Sequence, residues 1–229
     1  MHLNSDLLFR KYALKYFDNK VAKVLEIGPT GHPSYYSKIV QREEINWYTL
    51  DISNECILGG EKNEFHITSS KEFEYPIAND QFDIVLSGQV MEHVTKIWLW
   101  IKELERITKP GGKIIIISPI SWPYHKAPGD CWRIYPDGMK ALVEDFSNLE
   151  VIFCDFETLE SELYNSNELI PGMSSAALYN SQPYAIVKKK MKFNRLVKYI
   201  GKLHKYFQTF QIPIEVSYDN ICILQKPLI

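Results

Sequence analysis

The chain has 229 residues, 45% of them apolar and 24% charged, with a formal charge of −2 at pH 7. That length and balance suit one domain able to bury a core, and exclude disordered, fibrous and collagen-like classes. No apolar run reaches the roughly 18 residues a membrane span needs, and residues 1–23 mix charge with aromatics instead of following a secretory pattern.

The charge is unevenly spread. Eight Lys or Arg and no acid fall between residues 188 and 206, leaving 18 bases against 28 acids elsewhere. A basic segment on an acidic body points to a local anionic partner and away from general nucleic-acid binding. Cys56, Cys131, Cys154 and Cys222 are scattered, so free thiols in a reducing cytoplasm are expected, with no metal-ligand cluster visible in the spacing.

In chain order, residues 7–17 place Leu7, Leu8, Tyr12, Leu14 and Phe17 roughly on one side of a helix. Residues 21–28 form a short β-branched run ending at Gly28, the pattern of a buried parallel strand with a turn at its carboxyl end. Residues 47–51 read as a second strand stopped by Asp51, and 81–87 as a third. Residues 95–108 have helical spacing, ended by Pro110, Gly111 and Gly112. The most apolar strand, 113–118, is expected at the centre of a sheet. A helix at 136–145 and strands at 149–156 and 220–225 follow. Strands alternating with helices predict a doubly wound, mostly parallel α/β sheet in a single domain over 1–229. Within it, 1–20 is an N-terminal helix, 20–156 the core, 157–218 an insertion and 219–229 the last strand.

The insertion is too long for a plain loop. Residues 160–183, with Pro171 and Gly172, suit a lid that closes over an acceptor. Residues 188–207 set Met191, Leu196, Val197, Ile200, Leu203 and Phe207 on one helical face. Such a basic amphipathic helix docks by its apolar side, attracts a diphosphate, or makes weak contact with a membrane surface.

Candidate ligand residues sit where strands end. Glu26, Ile27 and Gly28 lead into a turn with Pro29 and Gly31, where backbone can approach a ligand closely. Asp51 follows 23 positions after Gly28, and an acid at the second strand end suits ribose hydroxyls. This predicts an adenosine-type ligand without separating a nicotinamide dinucleotide from S-adenosylmethionine.

The motifs go further. Val-Leu-Glu-Ile-Gly at 24–28, Leu-Asp-Ile at 50–52, the run Phe82 to Val94 containing Glu92 and His93, and Lys-Pro-Gly-Gly at 109–112 resemble class I S-adenosylmethionine-dependent methyltransferases of the type 11 kind. The resemblance implies a Rossmann-like, seven-stranded sheet with helices on both faces. It implies S-adenosyl-L-methionine as cofactor and S-adenosyl-L-homocysteine as product. Gly28 would pass the methionine part, Asp51 would hold the ribose diol and Ile52 would face adenine. Ser87, Gly88 and Gln89 would floor the methyl site, and residues 65–70 would flank the adenine. The prolines at 29 and 33 depart from the usual alternating glycines and make a stiffer loop with fewer amides.

Residues 122–136 concentrate Trp122, Tyr124, His125, Asp130, Trp132, Arg133 and Tyr135. They resemble a loop of methyltransferases from surface-polysaccharide and nucleotide-sugar pathways, implying a carbohydrate or anionic small-molecule acceptor. His125 is the candidate base for a sugar hydroxyl. Asp130 would orient it or bind sugar hydroxyls, Arg133 would grip a phosphate or carboxylate, and Trp122, Tyr124, Trp132 and Tyr135 would line the acceptor site. In the other reading Asp130 and Arg133 pair to brace the loop and His125 caps a turn. His93 is expected to pack beneath the cofactor loop and Glu92 to approach the methyl site, with His32 a more remote candidate. The rivals are a lipid or quinone acceptor and a non-catalytic cofactor-binding module. A nicotinamide oxidoreductase should show Gly-x-Gly-x-x-Gly, and a base-amino methyltransferase an Asn-Pro-Pro-Tyr tetrad; the sequence has neither.

Overall fold

A computed structural model describes residues 3–52, 64–122, 124–126, 128–157 and 218–228. They belong to one of two units into which the chain divides. The other, 160–216, takes in most of the expected lid and the basic helix, which lie outside the described residues.

Seven strands form one sheet in the order β3-β2-β1-β4-β5-β7-β6. They are β1 Lys23–Ile27, β2 Asn46–Asp51, β3 Glu64–Thr68, β4 Phe82–Gly88, β5 Thr108–Ser121, β6 Glu150–Glu157 and β7 Tyr218–Gln225. The first five are mutually parallel, while β7 runs antiparallel between β5 and β6. This is the expected Rossmann-like α/β sheet, with strand order reversing between β1 and β4, the place where such sheets open a crevice.

Both faces of the sheet are covered, which explains the continuous apolar strands. In β5, Ile114 and Ile116 join one core while Ile115 and Ile117 join the other. The first core packs against α3 (Ile97–Ile107) and α4 (Pro136–Phe146). Ile97, Trp100, Ile101, Leu104 and Ile107 bury one stripe of α3 at helical spacing. Each such side chain stabilises by about 1.5–3 kcal/mol on burial. The second core packs against α1 (Leu3–Leu8) and α2 (Tyr35–Val40). The N-terminal helix starts four residues before its expected bound and changes pitch: α1 runs into a π turn at Phe9–Ala13 and a 3-10 turn at Leu14–Tyr16.

Helix α3 ends at Ile107, and β5 starts at Thr108 instead of the expected residue 113. Lys109 is held by an ion pair to Asp83 at 2.6 Å, so the Pro-Gly-Gly segment rides on the sheet. Cys131, Cys154 and Cys222 are free thiols, as expected; Cys56 lies outside the described residues.

Candidate functional site

A cleft of about 260 Å³ opens at the carboxyl ends of β1, β2 and β4. Ile27 and Gly28 supply one wall, Leu50, Asp51 and Ile52 the next, and Gln89, Val90, His93 and Val94 the floor. Lys71, Glu72, Tyr75 and Pro128 complete it. It is mostly apolar with a few polar groups converging, the usual make-up of a small-molecule site.

Gly28 is there for conformational reasons. Its φ is +67°, and a Cβ would come within 2.3 Å of Val90 Cγ2. Its amide donates to the Leu50 carbonyl at 2.8 Å, locking the strand end to β2. Asp51 is half-buried at the tip of β2, where a carboxylate can reach two adjacent hydroxyls. Glu72 accepts from the Thr95 amide at 2.9 Å and from its hydroxyl, tying the segment after β3 to the start of α3.

Of the residues expected at the cofactor, Gly28, Asp51, Ile52 and Gln89 line the cleft, whereas Glu26, Pro29, Gly31, Ser87 and Gly88 do not. The structure gives physical reasons. The buried Glu26 carboxylate accepts from Ser34 Oγ and, at 3.0 Å, from Trp47 Nε1, so it anchors the loop after β1. Gly88 lets the Tyr36 ring approach, since a Cβ would stand 2.6 Å from the Tyr36 hydroxyl. Ser87 is fully buried beside Ile27 in the ladder. Gln89 contributes left-handed backbone, while its side-chain amide donates to Ser5 Oγ and Asp219 Oδ1, each at 2.9 Å. The segment after β3 meets the cleft through Lys71, Glu72 and Tyr75, beyond the expected 65–70. His32 stands edge-on to His66, off the cleft lining.

The expected acceptor loop is divided in its roles. Arg133 grips Asp130 with both terminal guanidinium nitrogens, at 2.5 and 2.8 Å, and also donates to the Trp132 and Trp122 carbonyls. The Arg133 guanidinium holds the Asp130 carboxyl down at about 2. This is the bracing arrangement of the two readings. Trp132 belongs to the core side: its Nε1 donates to the Val94 carbonyl at 2.8 Å and its ring meets Trp98 edge-on. Tyr124 and Tyr135 are exposed, at 75% and 59%, and Trp122 is partly so; none of the three lines the cleft.

His125 comes back toward the cleft. Its amide donates to Asp130 Oδ2 at 2.8 Å, its Nδ1 lies 3.5 Å from the same oxygen, and its ring meets His93 edge-on at 4.9 Å. His93 lines the cleft instead of packing beneath the loop, and its Nδ1 donates to the Gly129 carbonyl. Glu92 is 1% exposed, and neither carboxylate oxygen has a hydrogen-bond partner among the described residues. Burial pushes its carboxyl up to about 7. Sequence spacing shows no metal-ligand cluster, yet the fold brings Glu92, His93 and His125 together although residues 94–124 separate the two histidines. Tyr75, Lys71 and Glu72 escaped the sequence reading; the Glu-His-Val segment and the loop at 122–136 signalled the rest of this region.

Residues 25–116 match the sequence model of the methyltransferase domain family Methyltransf_11. Over 92 residues the chain is 29% identical to a demethylmenaquinone methyltransferase of Halalkalibacterium halodurans, covering 40% of this chain and 35% of that protein. It is 45% identical over 47 residues to an uncharacterized methyltransferase of Mycobacterium tuberculosis, covering 20% of this chain and 18% of the other. The chain thus spans about a third or less of these relatives' length. Among solved structures, an S-adenosylmethionine-dependent methyltransferase from Archaeoglobus fulgidus matches with a TM-score of 0.55 at 18% identity, covering 97% of this chain and 94% of that one. A phosphoethanolamine N-methyltransferase of Haemonchus contortus, solved with S-adenosylhomocysteine, matches with a TM-score of 0.56 at 14% identity, covering 98% and 53%. The fold is that of the methyltransferases.

Proposed function

We propose that this protein is an S-adenosylmethionine-dependent methyltransferase acting on a small molecule. One observation carries the reading: of the thirteen residues lining the cleft, all but Pro128 fall inside the stretch that matches the methyltransferase domain. The residues present fit the cofactor. Gly28 offers backbone free of a side chain, Asp51 accepts from a ribose diol, and Ile52, Leu50 and Val90 give apolar walls to an adenine ring. The cofactor, when bound, supplies an electrophilic methyl group on a sulfonium centre. The chain's own task is to hold an acceptor behind that methyl and to keep water out, which supplies much of the rate.

The acceptor in this reading is a hydroxyl, most simply that of a sugar on a nucleotide-linked or surface-glycan intermediate. His125, whose ring meets that of the cleft-lining His93, is the group that takes its proton, held by Asp130, which Arg133 braces. A quinone or other lipid acceptor is the second reading, favoured by the likeness to the demethylmenaquinone enzyme. To test the function, the protein is incubated with S-adenosylmethionine and a panel of nucleotide-linked sugars and quinols. The expected result is S-adenosylhomocysteine together with an acceptor heavier by one methylene. His125→Ala should cut turnover by about 10²-fold or more without loss of S-adenosylhomocysteine affinity. Turnover equal to wild type would remove His125 from the mechanism.

A further inference from the structure

The turn after β4 and the loop after β5 bring together a constellation that binding the cofactor does not require. We propose that Glu92, His93 and His125 form a binding site for one divalent transition-metal ion. One ligand atom from each of the three lies within 4.8 Å of the others. Bonds of about 2.0–2.2 Å put the ligands of one ion roughly 3–3.5 Å apart, so side-chain shifts of about an ångström close the set.

The arrangement of polar atoms calls for a cation. Because His93 Nδ1 donates to the Gly129 carbonyl, the neutral ring carries its lone pair on Nε2. That Nε2 stands 3.7 Å from Glu92 Oε1. Two acceptors therefore face each other in a buried place, and both Glu92 oxygens lack a hydrogen-bond partner among the described residues. An unpaired buried carboxylate is costly, and a cation shared by the carboxylate and the imidazoles offsets that cost. Each histidine also has an oxygen acceptor against its ring, the Gly129 carbonyl for His93 and the Asp130 carboxylate for His125. Metal-bound histidines are oriented by partners of this kind.

Two imidazoles and one carboxylate suit zinc, iron(II), cobalt(II) or manganese(II) better than magnesium or calcium, which take oxygen ligands. Three protein ligands leave a position for water or an acceptor oxygen; with the ion bound, a hydroxide held there would take the acceptor proton in place of the His125 imidazole. His93 lines the cleft, so that position lies beside the site of methyl transfer; this placement rests on the proposed function, whereas metal binding itself does not.

The test uses the full chain, stripped with a chelator and titrated with Zn²⁺ by calorimetry. One equivalent should bind per chain. Glu92→Gln and His125→Ala, each checked for fold by circular dichroism, should each weaken binding by at least about tenfold, while Cys131→Ser leaves it unchanged. X-ray absorption on the zinc-loaded wild type, which needs no variant to fold, should show imidazole and oxygen ligands. No bound zinc, undiminished binding in both folded variants, or a sulfur ligand would overturn the proposal. S-adenosylhomocysteine titrated into the metal-free protein reports separately on the methyltransferase reading.

Discussion

The loop after β1 and the turn after β4 each carry a buried glutamate, and the fold treats the two in opposite ways. Glu26 is answered by Ser34 and Trp47, so its charge is used up inside the protein and the loop is fixed in place. The Glu92 carboxylate receives no hydrogen bond among the described residues, has an imidazole at 3.7 Å, and sits next to residues that line the cleft. Burial alone therefore does not tell a structural acid from a functional one. The donors around it do.

This contrast can be broken most sharply by removing each acid. Glu26→Ala should destabilise the protein by about 2–4 kcal/mol, since it strands a buried hydroxyl and an indole N–H. Glu92→Gln should leave the metal-free protein as stable as wild type or more so, because an amide is cheaper to bury than an unpaired carboxylate. Urea unfolding of both variants checks the pair, and similar losses would erase the distinction. Gly28→Ala should come next at about 2–3 kcal/mol, combining a positive φ with crowding against Val90. It should also abolish the S-adenosylhomocysteine thermal shift.

Smaller effects sharpen the assignment of the surrounding loops. Trp132→Phe should cost about 1 kcal/mol by losing the hydrogen bond to the Val94 carbonyl, without changing the KM of any acceptor found; a large KM change would return Trp132 to the acceptor site. The smallest effect concerns Asp83. Burial pushes its carboxyl up, but Lys109 and the Lys23 and Ala22 amides outweigh that and hold it below the usual range. Its contribution is therefore present above the unfolded pKa of about 3.9 and is lost as pH falls through the lower folded value. Asp83→Asn should flatten that acid limb of a stability–pH curve by about 1 kcal/mol or less, as suits a partly exposed pair.

The parts legible in the sequence are those encoded locally. The strand at 24–27, the isoleucines of β5 and the stripe on α3 follow from period and residue type alone, and Gly28 and Asp51 follow from their places at strand ends. What sequence could not supply is which way a side chain turns once the chain has folded. Glu26, Ser87 and Gly88 lie in the right motif yet face the protein interior, because α2 and β2 arrive with Tyr36, Ser34 and Trp47. Arg133 and Asp130 satisfy each other, a pairing left open by spacing. Glu92 and His125 meet only because the loop after β5 folds back, its Cys131 amide donating to the Glu92 carbonyl at 2.7 Å. Tyr75 has no motif at all; it reaches the cleft because Trp100 and Glu103 of α3 hold its hydroxyl and its amide.

The most direct measurement is calorimetric titration of S-adenosylhomocysteine into the wild-type chain and into Asp51→Ala. One site per chain, with affinity reduced by at least about tenfold in the variant, or about 1.4 kcal/mol, is the result predicted for a ribose held at the tip of β2. No binding to wild type, or equal affinity for both proteins, would contradict it.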